Sequence, residues 1–165
     1  TQESIYKRII DSNRLQDFED FLNKVDLNYK LVASTDAQGQ PAVAIKFPNQ
    51  IVEFNQLASS GMLALALFYY WFINIAEVRL LVIDEFDAFY HSKLSEKFVK
   101  LLIESDCQVI LTTHNTSVMT NELMRPDCYF RINGNGITSL ANATDIEIRE
   151  AHNLEKIYRS GGFES

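Results

Sequence analysis

Residues 62–76 read MLALALFYYWFINIA, and no other stretch limits the possible folds as tightly. A bilayer span needs roughly 18 to 20 apolar residues, and this run is shorter and contains Asn74. It therefore predicts a helix that is apolar on every side and enclosed by protein. Enclosing it requires elements all around it, and the 165 residues available are about one domain's worth. Hydrophobic residues at 47%, aromatics at 12% and only 3 Pro supply a packed core and exclude a disordered or fibrous chain.

Charge and cysteine narrow the function classes. With 15 Lys+Arg against 22 Asp+Glu, the net charge of −7 leaves nothing to compensate phosphate overall. General binding of nucleic acid or of an anionic membrane by this piece is thereby excluded, and any such contact has to come from a local patch or from another domain. Cys107 and Cys128 form no CxxC, and His91, His114 and His152 are scattered, so no zinc-ligand spacing exists; two buried, reduced thiols are expected. Thr1-Gln2-Glu3-Ser4 has neither the basic nor the apolar region of a signal peptide, which predicts a cytoplasmic protein. Beginning on Thr1 with no initiator Met, the chain reads as an excised domain or a processed product.

Periodicity then divides the single domain into three parts. In residues 1–54, Ile5, Tyr6, Ile9 and Ile10 and then Leu15, Phe18, Leu22 and Val25 recur at helical spacing. Extended runs at Tyr29–Ser34 and Ala42–Phe47, joined by Thr35-Asp36-Ala37-Gln38-Gly39-Gln40, predict a hairpin, with Ile51–Phe54 a further short extended piece. In residues 55–125 the elements alternate. The buried helix precedes a strand at Arg79–Ile83, Ser92 can cap a helix bearing Leu94, Phe98, Leu101 and Leu102 on one face, a strand follows at Val109–Leu111, and a short helix lies near Ser117–Met124. This order predicts an α/β fold with a parallel sheet covered on both faces. In residues 126–165, Cys128–Ile132 and Ile137–Leu140 flank Asn133-Gly134-Asn135-Gly136 as an edge hairpin, and the capping box Thr144-x-x-Glu147 opens a closing helix running to about Tyr158.

Chemistry concentrates at strand ends. Leu80-Leu81-Val82-Ile83-Asp84-Glu85 places both carboxylates at the C-terminal end of a buried parallel strand, where open α/β sheets hold ligands. Nucleotide hydrolysis needs one acid to hold hydrated Mg²⁺ and another to orient the attacking water, and adjacent acids can serve both tasks; a strand ending in a solvated acidic turn is the plainer alternative. Val109-Ile110-Leu111-Thr112-Thr113-His114 puts an imidazole at the matching end of the next strand, able to donate to a phosphate oxygen. Leu57-Ala58-Ser59-Ser60-Gly61 precedes the apolar helix and leaves N–H groups and a hydroxyl to face an anion, or else forms an ordinary serine cap and loop glycine.

In this order the motifs resemble the C-terminal half of an ABC-type, SMC-related ATPase head, and more narrowly the bacterial AAA-family ATPases related to OLD and abortive-infection proteins. The resemblance runs from Leu15 to Phe163. It implies a three-layer P-loop NTPase fold in which Ser59 and Gly61 take the signature positions, Asp84 the Walker B aspartate, Glu85 the catalytic glutamate, His91 the end of the D-loop and His114 the switch histidine. Arg125-Pro126-Asp127, Asn153-Leu154-Glu155-Lys156 and Gly161-Gly162-Phe163 also fit that group. Ser60 and Met62 stand where a glycine and a polar residue are usual, and Tyr90 where a leucine is.

The resemblance further implies ATP and Mg²⁺ as cofactors and two heads sandwiching ATP, with Ser59, Gly61 and the His91 loop serving the partner's site. It implies ATP hydrolysis in phage defence or DNA maintenance, with a separate effector as partner. GxxxxGK[ST] occurs nowhere in the chain, so the phosphate-binding loop is expected on an upstream lobe, and the chain alone is expected to be inactive. No OLD-type Toprim nuclease is expected within it. A non-catalytic dimerisation or regulatory module remains the alternative, and the coding sequence upstream discriminates the two.

Overall fold

Two helices open the chain in the computed structural model, which describes residues 2–73, 75–134 and 136–164. Thr1, Asn74 of the apolar run and Asn135 of the edge turn lie outside the described residues. Helix α1 (Gln2–Asp11) and helix α2 (Leu15–Lys24) turn their periodic residues inward, burying Ile5, Tyr6, Ile9, Phe18, Leu22 and Val25, with Phe21 added to the stripe. Beside them lies an antiparallel sheet of β1 (Leu31–Thr35), β2 (Pro41–Lys46) and β3 (Ile51–Glu53), in which Leu31 pairs with Ile45 and Ile45 with Val52. Its turn is held by the Asp36 carboxylate, which accepts from the N–H groups of Gln38 and Gln40 at 2.9 and 2.8 Å. Glu19 ties α2 to the sheet: this carboxylate, 6% exposed, accepts from the Leu31 N–H at 2.7 Å and from Lys30 Nζ at 2.8 Å.

A one-turn helix α3 (Phe54–Leu57) leads into α4 (Ser60–Phe72), the helix of the apolar run. Met62, Leu65, Ala66, Phe68 and Tyr69 face the core, where Tyr69 meets Phe18 at 4.9 Å and Phe68 meets Phe98 at 4.2 Å between ring centroids. Enclosure is incomplete, contrary to the sequence expectation: Leu67 and Trp71 are exposed, Trp71 at 62%, because nothing described packs on that side of the helix.

Strand β4 (Leu80–Ile83), helix α5 (Ser92–Ile103) and strand β5 (Gln108–Leu111) follow, and β4 and β5 pair in parallel from Leu80–Gln108 to Ile83–Leu111. Only one face of this pair is covered. Leu81, Ile83, Val109 and Leu111 pack on the core, whereas Leu80, Val82 and Ile110 point out of it, Val82 at 59% exposure. The expected two-sided cover is therefore absent among the described residues. Helix α5 is capped by His91, whose Nδ1 accepts from the Leu94 N–H at 3.4 Å, and not by Ser92, which is already the first helical residue.

The last third departs most from expectation. Strands β6 (Phe130–Asn133) and β7 (Gly136–Ser139) pair only with each other among the described residues, so the hairpin stands apart from the parallel sheet. No helix forms over Ser117–Met124 beyond a single 3₁₀ turn at Thr116–Val118, because the Tyr129 hydroxyl takes the backbone groups that would continue it: it accepts from the Thr120 N–H and lies 2.8 Å from the Val118 carbonyl. Nor does the closing helix begin at Thr144. Its hydroxyl accepts from the Ile146 N–H, Glu147 pairs with Arg149, and Asn121 Nδ2 donates to the carbonyls of Glu150 and His152, holding the segment in turns. Helix α6 (Leu154–Arg159) starts instead under Asn153, whose side chain accepts from the Lys156 N–H at 2.8 Å. Leu154 and Phe163 join Tyr129, Leu140 and Ala143 in a small second core. Both cysteines are free, but Cys107 is buried and Cys128 is exposed, the latter closing a surface 3₁₀ turn at Pro126–Cys128.

Candidate functional site

Strand β4 delivers its two acids into a tight turn. Two residues beyond Asp84, the buried Phe86 ring stacks on Phe98 at 5.7 Å and 15°, pulling the chain back toward the core. To reverse that quickly, Glu85 adopts φ = 45°, a left-handed conformation that residues with a Cβ rarely hold. Turn bonds from Ala88 N–H to the Glu85 carbonyl and from Tyr90 N–H to the Asp87 carbonyl, each 3.0 Å, complete the bend.

Thr112 and Thr113, at the end of β5, meet this turn. The Thr112 N–H donates to the Ile83 carbonyl at 3.0 Å, and the Thr112 carbonyl accepts from the Phe86 N–H at 3.1 Å. The Thr112 hydroxyl accepts from the Glu85 N–H at 2.8 Å and donates to Asp84 Oδ1. Thr113 Oγ1 donates to Asp87 Oδ1 at 2.6 Å and accepts from the Asn115 N–H at 2.9 Å. His114 follows, with its side chain almost wholly exposed and Nε2 3.5 Å from Glu85 Oε1, an ion-pair separation and too long for a good hydrogen bond.

The parallel register thus brings Asp84, Glu85 and His114 to one sheet end. Glu85 and His114 line an open cleft of about 350 Å³ together with Asp87, Ala88, Tyr90 and Asn115, while Asp84 lies outside its lining. Its lining holds carboxylates and no Lys or Arg. Burial pushes the Tyr90 phenol up to about 12, so the ring remains neutral and able to donate. A larger hollow of about 480 Å³ beside α6 is lined by Asn153, Glu155, Lys156, Arg159 and Ser160, where Arg159 is already paired with Glu155 at 2.9 Å.

Ser59 and Gly61 lie at the start of α4. Ser59 is exposed, and its hydroxyl oxygen caps the helix by accepting from the Met62 N–H at 3.3 Å, which leaves the hydroxyl proton for another acceptor. Gly61 is buried against the loop after the acids: a Cβ there would stand 2.7 Å from the Phe89 carbonyl oxygen. This close approach joins the Ser59–Gly61 segment to the 86–91 loop, at whose end His91 is exposed. Sequence reasoning passed over Asp87, Thr112 and Thr113; the signal was present in the hydroxyl pair that follows β5 directly opposite the acids that follow β4.

Residues 5–120 match the family model described as "AAA domain, putative AbiEii toxin, Type IV TA system". The chain belongs to this AAA family. No curated protein matches the sequence. Among solved structures, one described as "Structural biochemistry of ATP-driven dimerization and DNA stimulated activation of SMC ATPases" superimposes on the AAA domain with a TM-score of 0.58 at 14% identity, covering 84% of this chain and 89% of that one. The Smc head domain of Pyrococcus furiosus, with an extended coiled coil and bound to the C-terminal domain of ScpA, matches at a TM-score of 0.48 and 16% identity over 64% of this chain; the AAA domain spans 29% of that chain's length. The fold is similar to the P-loop NTPase fold of SMC ATPase heads, with parallel and antiparallel sheets combined. No helix among the described residues is long and apolar enough to cross a membrane.

Mg²⁺, which this class of fold implies, suits the donor set at Asp84. Among the described residues no group of His, Cys, Asp and Glu forms a cage for a resident ion. A single strand-end carboxylate is what Mg²⁺ uses when it keeps its waters and takes its other ligands from phosphates. Asp84 has Oδ1 engaged by Thr112 and is itself exposed, as that mode of binding requires.

Proposed function

We propose that this AAA domain is the C-terminal half of an ATPase head, hydrolysing ATP when joined to a lobe that carries the phosphate-binding loop and when paired with a second head. The convergence of Asp84, Glu85 and His114 on neighbouring parallel strand ends, with His114 Nε2 3.5 Å from Glu85 Oε1, carries this reading. Glu85 orients the attacking water and draws its proton, Asp84 holds Mg²⁺ through water, and His114 donates to the γ-phosphate. Mg²⁺, bound with the nucleotide, supplies the charge that lets phosphate oxygens approach these acids.

Two features support a separate phosphate-loop lobe. The outer face of β4 and β5 presents Leu80, Val82 and Ile110 as an apolar strip, and the lining of the cleft beside the acids holds no Lys or Arg to receive a triphosphate. A lobe seated on that strip covers the apolar surface and brings the lysine of its own phosphate loop to the acids. Ser59, with its hydroxyl proton free, Gly61 and the His91 loop then serve the second head's nucleotide. The family description names a "putative AbiEii toxin, Type IV TA system"; the coupled task in this reading is phage defence or DNA maintenance, with an effector protein as partner and any DNA held by other domains. A cytoplasmic location follows from that role.

Glu85→Gln in the full-length protein tests the assignment. Loss of a general base lowers ATP turnover by about 10²-fold or more. Turnover within a few-fold of wild type refutes the role given to Glu85.

A further inference from the structure

We propose that Thr112 is a positioning residue for hydrolysis, fastening the strained acid turn so that Asp84 and Glu85 hold one fixed geometry. The inference deepens, and rests on, the reading of Glu85 and Asp84 given above. Glu85 sits at φ = 45°, a conformation that persists only where its surroundings enforce it. Thr112 provides that enforcement from a single residue. Its backbone brackets the turn through Ile83 O and Phe86 N, while its hydroxyl bridges the two acids, accepting from Glu85 N–H and donating to Asp84 Oδ1.

Those two hydroxyl contacts act on different things. Accepting from the Glu85 N–H holds the left-handed backbone and so aims the Glu85 side chain toward His114. Donating to Asp84 Oδ1 restrains the rotation of that carboxylate. Thr113 adds a second stitch farther along, from its hydroxyl to Asp87 Oδ1. Thr112 itself is half-buried and lies outside the cleft lining, so it acts through the acids and is not a catalytic residue.

Valine at 112 keeps the β-branched shape and the backbone bonds but removes the hydroxyl, whereas serine keeps the hydroxyl. The test compares Thr112→Val, Thr112→Ser and Glu85→Gln in the full-length protein by ATP turnover, and by amide hydrogen exchange at Glu85 and Phe86 without nucleotide. Thr112→Val is expected to lower kcat by about 10- to 100-fold, as loss of an orienting partner does, with KM for ATP within about threefold because no phosphate contact is lost. Exchange of the Glu85 amide should rise at least about tenfold on losing its acceptor, and Thr112→Ser should restore both within about threefold.

Unchanged exchange in Thr112→Val overturns the proposal whatever the turnover. So does raised exchange with kcat near wild type while Glu85→Gln is inactive, since the latch then has no bearing on the chemistry. Should Glu85→Gln retain full turnover, the hydrolytic reading fails, and the positioning role for hydrolysis fails with it, while the exchange data separately report whether the latch exists. Should Thr112→Val not fold, Thr112→Ala is read in the same way against Thr112→Ser.

Discussion

Replacing Glu85 by glycine should leave the domain more stable than replacing it by alanine, although glycine is ordinarily the less stabilising residue. The reason is the turn at φ = 45°. A residue with a Cβ loses roughly 1–2 kcal/mol in the left-handed region, and glycine does not. Against this, glycine loses about 0.4–1 kcal/mol more than alanine through the freedom of its unfolded chain. The exposed Glu85–His114 pair contributes below about 1 kcal/mol and is lost in both variants, so it cancels in the comparison. Glycine should therefore exceed alanine by about 1 kcal/mol, with Glu85→Asn between them because asparagine tolerates this region better than alanine. Urea unfolding followed by circular dichroism reads the difference as a midpoint shift of about 0.3–1 M at equal slope. An alanine variant as stable as the glycine variant, or more so, would show that the turn is unstrained and refute the reasoning. Both variants lose the carboxylate, so a gain in stability together with loss of turnover would mark the strain as a cost of placing Glu85 where it is.

Other outcomes follow from the same structure. Burial acts to raise the Glu19 pKa, but the hydrogen bonds from Lys30, the Leu31 N–H and Gln16 outweigh it and hold the carboxyl below its ordinary 4.5. Its contribution is therefore complete above that value and is lost as pH falls through the lowered folded value. Glu19→Gln should cost about 1–3 kcal/mol at neutral pH and flatten the acid limb of the stability profile; an unaltered limb in denaturant titrations at stepped pH would contradict this. Gly61→Ala places a Cβ 2.7 Å from the Phe89 carbonyl oxygen, so the 86–91 loop must shift. Overpacking of this kind costs about 1–3 kcal/mol, more than the ~1 kcal/mol that alanine gains in a helix interior and less of which applies in a first turn. A melting temperature equal to or above wild type would show that the loop yields freely.

How much of this was readable in advance depends on the distance over which each choice is made. The stripes of α1, α2 and α5 and the first hairpin follow from local pattern, and the structure reproduces them with shifts of a residue or two. So does the placing of Asp84 and Glu85 behind one apolar strand and His114 behind the next. The failures lie where a distant side chain takes backbone groups that the local pattern would have used. Thr144-x-x-Glu147 has the composition of a capping box, yet Asn121 claims the carbonyls of Glu150 and His152 and the helix waits for Asn153. Tyr129 likewise stops a helix after Val118. Enclosure of the apolar run failed for another reason: hydrophobicity says that a surface must be covered, and cannot say that its cover lies within the same described residues.

By itself, then, the sequence determined the element types from the first helix to the second parallel strand and the order in which the acids and the imidazole occur, because apolar periodicity and chain order are local properties. Only the tertiary structure decided the left-handed turn at Glu85, the Thr112 and Thr113 stitches, the contact of Gly61 with the Phe89 carbonyl and the bare outer face of β4 and β5. The acid turn and its threonine stitches depend on the parallel register of two strands whose starts are separated by a whole helix, and the turn also on the packing of Phe86 against Phe98. A strained backbone and a bridging hydroxyl acquire meaning only when the partner that holds them is brought alongside.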